Sequence, residues 1–175
     1  TFAPTGGIVA AATTSLPEQI GGPRNWDYRY CWLRDATLTL HSLLRVGYRE
    51  EASAWREWLL RAVAGDPADL QIMYGLDGSR RLPEYELDWL AGYEGSAPVR
   101  VGNAAADQLQ LDVWGEVLDG LSLTRKALLH VPDDSWDIQT ALMEHLAGGW
   151  DKPAHGWGER RGGQQQVPYP QATAT

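Results

Sequence analysis

Apolar side chains recur at helical spacing in four stretches of the chain. The first stretch starts at Leu33 and keeps an i, i+3, i+4 rhythm until Gly47, and the second ends at the Gly-Asp-Pro turn of residues 65–67. Asn103 is predicted to cap a third helix, and residues 132–135 are predicted to open a fourth. The pattern therefore predicts two pairs of helices.

The residues outside these stretches lack the helical rhythm. Between the two pairs, residues 70–90 contain an Asp-Gly turn and a proline, which predicts a short β-hairpin or an irregular excursion. Ahead of the first helix, residues 6–30 are rich in Gly, Pro, Thr and Ser, which favours extended chain with one short strand at residues 8–12. Residues 163–175 begin Gln-rich and have no periodicity, so we expect a disordered tail there.

Composition and charge narrow the functional classes. The chain has 175 residues, with 23 Asp+Glu against 15 Lys+Arg and a formal net charge of −8. An acidic chain without a basic block has little attraction for phosphate backbones or anionic membrane surfaces, so neither is an expected partner. No apolar run approaches the ~20 residues that span a bilayer, no signal-peptide pattern opens the chain, and Cys31 alone permits no internal disulfide. We therefore expect a soluble, cytoplasmic protein.

The aromatic content is unusual, because nine Trp and seven Tyr accompany a single Phe. Trp and Tyr rings combine an apolar face with a hydrogen-bonding edge, which suits the faces and hydroxyl rims of sugars, although the same rings also pack helices together. The histidines match no metal-ligand spacing, and no glycine-rich phosphate loop is present. We therefore expect no metal and no cofactor, and carboxylates among aromatic residues remain as the candidate chemistry.

Two groups of polar residues are candidates for that chemistry. Arg34 and Asp35, where an aromatic loop enters the first helix, can donate to and accept from neighbouring sugar hydroxyls. They can equally form a structural ion pair beside the end of a helix. Gln108, Asp112 and Glu116 are spaced four apart and share one helix face, which lines either a polar cavity or the solvated outside.

A third candidate lies in residues 157–162 (WGERRG). Desolvation by Trp157 would raise the pKa of the Glu159 carboxyl, which is the condition for a general acid at neutral pH. The two adjacent arginines would lower the same pKa, so the motif by itself is a weak indication of catalysis.

Five segments carry a resemblance to a known family. They are residues 16–22 (LPEQIGG), 24–36 (RNWDYRYCWLRDA), 92–96 (GYEGS), 98–105 (PVRVGNAA) and 110–116 (QLDVWGE). In this order they resemble glycoside hydrolase family 15, the group of bacterial glucoamylases, glucodextranases and trehalase-like enzymes. The resemblance covers residues 6–162, and the segment at residues 24–36 is its most specific part.

The resemblance implies an all-α fold, a partial (α/α)6 toroid made of helical hairpins. Residues 1–162 would then be the first part of the catalytic domain. The family continues into further helices after Gly162, and no residue of this chain matches the family's catalytic base. We therefore expect a fragment that is inactive or nearly so in isolation, and that self-associates through exposed apolar helix faces.

The resemblance also implies an inverting, exo-acting glycosidase that releases glucose from an α-linked oligosaccharide or disaccharide of glucose. The substrate-binding residues that it implies are Tyr28, Trp32, Arg34, Asp35, Arg100 and Trp157. Glu159 would be the general acid, although the family usually has an aromatic residue directly before this carboxylate, where Gly158 stands here. The main interpretation is a glucoamylase-like glucan 1,4-α-glucosidase. The alternatives are an α,α-trehalase of the same family, a noncatalytic sugar-binding module and a helical interaction protein.

Overall fold

Four α-helices dominate the computed structural model, which describes residues 1–127 and 135–155. They are α1 Leu33–Val46, α2 Arg49–Ala62, α3 Asp112–Ala127 and α4 Ser135–Ala147. These residues also form the short strands β1 Thr14–Pro17, β2 Asn25–Asp27, β3 Cys31–Trp32, β4 Met73–Tyr74, β5 Tyr85–Glu86 and β6 Arg100–Val101. The strands pair antiparallel, β1 with β2, β3 with β4 and β5 with β6. The predicted helix-rich fold is confirmed, and closure into a toroid stays a prediction.

The first helical hairpin ends and restarts where the sequence predicts. Gly47 follows α1 with a φ of 92°, a left-handed conformation that costs glycine little, and the amide of Tyr48 donates to the carbonyl of Leu43 at 2.9 Å. Helix α2 then opens with Glu50 and Glu51 in its first turn, where negative charge is favourable. The predicted helix pair at the start of the chain is therefore confirmed.

The core lies where α1, α2 and α3 meet. Its largest fully buried side chains include Trp55 and Trp58 of α2 and Trp114 of α3. Gly120 lets α3 approach α2 closely, because a Cβ at this position would stand 2.9 Å from the ring of Trp55. Three of the nine tryptophans therefore pack helices together, whereas Trp89, Trp136 and Trp150 are exposed. Helix α4 extends this core through its contacts with α3.

The segment between the helix pairs differs from the predicted hairpin. Residues 75–79 do form a turn, in which the amide of Gly75 donates to the carbonyl of Ser79 at 2.8 Å. However, β4 pairs with β3 and β5 pairs with β6, so the two arms of the predicted hairpin bind other segments. Pro83 interrupts the second arm and has no amide to donate to a local partner. The hairpin prediction is wrong, and the irregular excursion is what the structure shows.

Two other local predictions need correction. Residues 8–12 form no strand, although the amides of Ala10 and Ala11 donate to the carbonyls of Tyr30 and Tyr28, both at 2.9 Å. The side chain of Asn103 caps a short 3-10 turn at Ala104–Asp107, and α3 starts later, at Asp112. Residues 108–111, between this turn and α3, form no helix or strand and bring Gln108 and Gln110 to the front of the helix.

Some predictions concern residues beyond this description. Trp157, Glu159 and the predicted tail at residues 163–175 lie outside the described residues. Within the described ranges, no helix is both long enough and apolar enough to cross a membrane. The same ranges contain no group of three potential metal-binding side chains.

Candidate functional site

The residue at the centre of the site is Arg34, in the first turn of α1. Pairing of β3 with β4 fixes the chain just ahead of it, and the amide of Leu33 donates to the carbonyl of Ile72 at 3.0 Å. Cys31 and Leu33 are fully buried, so the backbone here is held from both sides. The Arg34 side chain keeps 16% of its surface exposed and points toward the start of α3.

The start of α3 supplies acceptors for this guanidinium. Nη1 of Arg34 lies 3.3 Å from Oε1 of Gln110 and 3.5 Å from Oδ2 of Asp112, and both partners are almost completely buried. Nη2 lies 3.7 Å from Oδ2 of Asp35, whose side chain is 51% exposed. The structure thus joins the two groups that the sequence suggested separately. We call Arg34, Asp35, Gln110, Asp112 and Glu116 the Arg34 cluster.

Gln110 is the member of this cluster that sequence reasoning missed. A spacing of four residues selects Gln108, Asp112 and Glu116 only if all three lie on one helix. Gln108 and Gln110 instead lie ahead of α3, outside any helix, and the backbone of Gln108 is extended. Nε2 of Gln110 donates to Oε1 of Gln108 at 3.1 Å.

The electrostatics of the cluster are governed by burial. Burial raises the pKa of the Asp112 carboxyl, and the attraction of Arg34 offsets only part of this effect. Burial, reinforced by the negative charge of Asp112, raises the pKa of Glu116 to about 7. A solvated outer face, one of the two interpretations of this helix face, is therefore wrong for Asp112, which is 2% exposed.

Tyr28 and Trp32 form an aromatic group ahead of the cluster. Their ring centroids are 5.4 Å apart, and the ring of Tyr30 lies 6.4 Å from that of Trp32. Trp32 is buried, whereas Tyr28 and Tyr30 are partly exposed, so the two tyrosine rings pack against a buried tryptophan. Substrate contacts of Tyr28 and Trp32 stay predictions.

Arg100 occupies a different environment. Its Nη2 donates to Glu86 at 3.0 Å, and its Nη1 donates to the carbonyls of Pro23 and Asn25 at 2.9 and 3.3 Å. The guanidinium also lies 4.6 Å from the ring centre of Trp26. These contacts join β6 to the chain around β2, and a substrate contact of Arg100 stays a prediction.

An open cleft of about 480 Å³ lies beside the approach to α3. Residues 68–71 and 106–109, together with Arg80, line it. Gln108 belongs to this lining and bonds to Gln110, which in turn bonds to Arg34. Two hydrogen bonds therefore connect the wall of the cleft to the Arg34 cluster, and the volume falls in the range of small-molecule sites.

The predicted general acid, Glu159, follows a segment that is bonded to the chain just ahead of α3. The amide of His155 donates to the carbonyl of Leu109 at 2.8 Å, and the amide of Leu109 donates to Nδ1 of His155 at 3.1 Å. Leu109 stands between Gln108 and Gln110 in the chain. The described chain thus ends, shortly before Trp157 and Glu159, beside the segment that holds Arg34.

The described helices gather a guanidinium, carboxylates and an amide where α1 meets the start of α3, a set of donors and acceptors that can bind hydroxyl groups. Comparison of sequences identifies the class as glycoside hydrolases. The family model described as "Glycosyl hydrolases family 15" matches residues 2–174, and the chain therefore belongs to this family. The resemblance read from the five sequence segments is confirmed.

Curated relatives of the chain carry the name trehalase. The chain is 43% identical to the trehalase of Mycolicibacterium smegmatis and 41% identical to that of Mycobacterium tuberculosis, over 94% of this chain and 25% of each relative. It is 38% identical to the trehalase of Thermoplasma acidophilum, over 96% of this chain and 29% of the relative. The chain thus spans about a quarter of the length of these relatives. No solved structure matches it significantly.

Proposed function

We propose that the chain is the part of a trehalose-hydrolysing enzyme that holds one glucosyl unit of the disaccharide. The family supports a glycosidase, and the name trehalase among the relatives favours the α,α-trehalase interpretation over the glucoamylase-like one. The observation that carries the proposal is the pairing of Arg34 with the half-exposed carboxylate of Asp35, next to a buried acceptor set.

This pair fits the chemistry of a sugar edge. The guanidinium offers donors in a fixed plane, and the carboxylate 3.7 Å away offers acceptors. Vicinal hydroxyls of a glucosyl ring can donate to Asp35 and accept from Arg34 at the same time, and hydrogen bonds to charged groups are the stronger kind. Trehalose is uncharged, so its binding leaves the net charge of the Arg34 and Asp35 pair unchanged.

The reaction in this proposal is hydrolysis with inversion. Glu159 donates a proton to the glycosidic oxygen as the bond from that oxygen to the anomeric carbon breaks. A second carboxylate removes a proton from a water molecule that attacks the same carbon from the opposite face, and two glucose molecules result. Inverting enzymes hold the two carboxyl groups ~6.5–9.5 Å apart to leave room for this water. We assign no residue of this chain to the base, so we expect the chain to bind sugar without turning it over.

A binding and turnover experiment tests the proposal. The purified chain is titrated with trehalose and, separately, with maltotriose by NMR, and released glucose is measured with Glu159→Gln as the control for contaminating enzyme. We expect trehalose to bind, no glucose to appear, and Asp35→Asn to weaken binding about tenfold, since one hydrogen bond to a charged group is lost.

The matched control is Asp88→Asn, which removes an exposed carboxylate on the excursion between the helix pairs. Maltotriose binding without trehalose binding would return the assignment to the glucoamylase-like interpretation. Sugar affinity that is the same in Asp35→Asn as in the unchanged chain would contradict the proposed site.

A further inference from the structure

The carboxylate of Asp112 lies in a position that destabilises the folded state. It is 2% exposed, and its Oδ2 lies 3.5 Å from the guanidinium of Arg34. Within the described part of the chain, its Oδ1 has no hydrogen-bond partner. Burial of an ionised group with an unsatisfied oxygen destabilises the folded state. Burial accordingly raises the pKa of Asp112 even though Arg34 is near. Negative charge is favourable in the first turn of a helix, but this preference does not require the carboxylate to be buried.

What Asp112 does provide is a fixed direction for Arg34. The arginine side chain has several rotatable bonds, and its described partners include Asp35 on α1, Gln110 ahead of α3, and Asp112 on the first turn of α3. Gln110 is itself held by Gln108. Among these three partners, Asp112 combines a carboxylate with nearly complete burial, so it determines the plane of the guanidinium more strongly than the neutral amide does.

We propose that Asp112 is a positioning residue, which holds the guanidinium of Arg34 in the plane that presents its donors to a sugar. Asp112 acts through Arg34 and does not touch the sugar. This inference rests on the proposed function, in which Arg34 and Asp35 hold a glucosyl unit. In this inference, the buried charge of Asp112 lowers the stability of the fold and in return fixes the orientation of the Arg34 side chain.

A double-mutant cycle tests this inference through trehalose affinity measured by NMR titration. Asp112→Asn keeps the shape of the side chain and removes its charge, and we expect it to weaken binding about tenfold. Arg34→Ala should weaken binding at least as much. The double variant should bind no more weakly than Arg34→Ala alone, because Asp112 has no effect on the sugar without Arg34.

Stability supplies a readout that a merely structural role would not give. We expect the melting temperature of Asp112→Asn to equal or exceed that of the unchanged chain, since a buried charge is removed. Asp119→Asn is the matched control, because it removes an exposed carboxylate of the same helix that pairs with His41 at 2.9 Å. The control should leave trehalose affinity unchanged.

The guanidinium signals of Arg34 test the inference without any sugar. In the unchanged chain, restricted rotation should give separate nitrogen signals for Nη1 and Nη2, and Asp112→Asn should average them. If no variant binds trehalose, the proposed function fails, and these signals still decide whether Asp112 orients Arg34. Additive losses of affinity in the cycle, or identical Arg34 signals in the Asp112→Asn variant, would overturn the inference.

Discussion

Arg34 and Arg100 are both partly buried arginines in the segments that identify the family, yet the fold uses them differently. Arg100 donates to two backbone carbonyls and to Glu86 and lies over the ring of Trp26, so its groups join separate parts of the chain. Arg34 instead faces side-chain oxygens at 3.3 to 3.7 Å, one of them on the half-exposed Asp35. The same residue type therefore joins separate parts of the chain in one region and faces a half-exposed carboxylate in the other.

The two arginines differ in the identity of their acceptors. Backbone carbonyls cannot move away from an arginine without unfolding a loop, so an arginine bonded to them contributes to stability. Side-chain carboxylates and amides can exchange a partner for a ligand hydroxyl. The sequence resemblance implies that both arginines bind substrate, and a substrate contact of either one stays a prediction.

Arg100→Ala should act mainly on stability. The substitution removes the donor of the carbonyls of Pro23 and Asn25 and of Glu86, together with the contact with Trp26, so we expect the free energy of unfolding to fall by about 1–2 kcal/mol. Urea unfolding followed by tryptophan fluorescence measures this change. A loss no greater than that of a surface substitution such as Arg45→Ala would show that the network around Arg100 is not structural.

Arg34→Ala should act mainly on binding. We expect trehalose affinity to fall by at least about tenfold. The free energy of unfolding should fall by about 1–2 kcal/mol, because the buried carboxyl of Asp112 loses its countercharge and takes up a proton more readily. Isothermal titration calorimetry with trehalose measures the affinity, and urea unfolding of the same sample measures the free energy of unfolding. A large loss of stability with unchanged affinity would reverse the roles of the two arginines.

Glu116→Gln should reveal the pH dependence of the Arg34 cluster. The pKa of Glu116 is about 7 in the folded chain and 4.5 as an ordinary value, so the folded state holds the proton more tightly and loses stability as the pH rises between these values. The amide mimics the protonated form. The variant should therefore match the unchanged chain below pH 4.5 and exceed its stability above pH 7.

The expected gain is about 1 kcal/mol, well below the full effect of such a shift, because Glu116 is only half-buried and water screens its charge. Thermal unfolding at both pH values measures it. Glu57→Gln, which removes an exposed carboxylate of α2, controls for the general effect of lowering the negative charge. A gain that is equal at both pH values would contradict the assignment of this titration to Glu116.

Arg100→Lys should have the smallest effect. Lysine keeps the positive charge near Glu86 but cannot donate in a plane to two carbonyls while it lies over the ring of Trp26, so we expect a loss of about 0.5–1 kcal/mol. Comparison of its urea midpoint with that of Arg100→Ala separates the contribution of the positive charge to stability from that of the planar guanidinium. Equal losses in the two variants would mean that the charge contributes nothing.

The helices could be predicted well because their signals are local. The apolar period from Leu33 and the stop at Gly47 depend only on residues within a few turns, and the structure confirms α1 and α2 at these places. The strands could not be predicted with the same success, because the partner of β4 is β3, which lies before α1 and α2 in the chain. Partners so distant in sequence leave no mark in a local pattern.

The candidate site was predicted in parts. Periodicity placed Asp112 and Glu116 on one helix face, and the position at the start of a helix indicated Arg34 and Asp35. Periodicity does not show which other element packs against that face. Packing of α1 against α3 brings the two groups together. Gln110 was missed because the helix begins at Asp112 and the chain just before it is not helical. The roles of Trp157 and Glu159 stay predictions.

The affinity of the chain for trehalose, measured side by side with that of Arg34→Ala and of Arg100→Lys, tests the central claim most directly. The account predicts that trehalose binds to the unchanged chain and to Arg100→Lys with similar dissociation constants, and at least about tenfold more weakly to folded Arg34→Ala. Equal affinity of the unchanged chain and Arg34→Ala would contradict the claim that Arg34 holds the sugar.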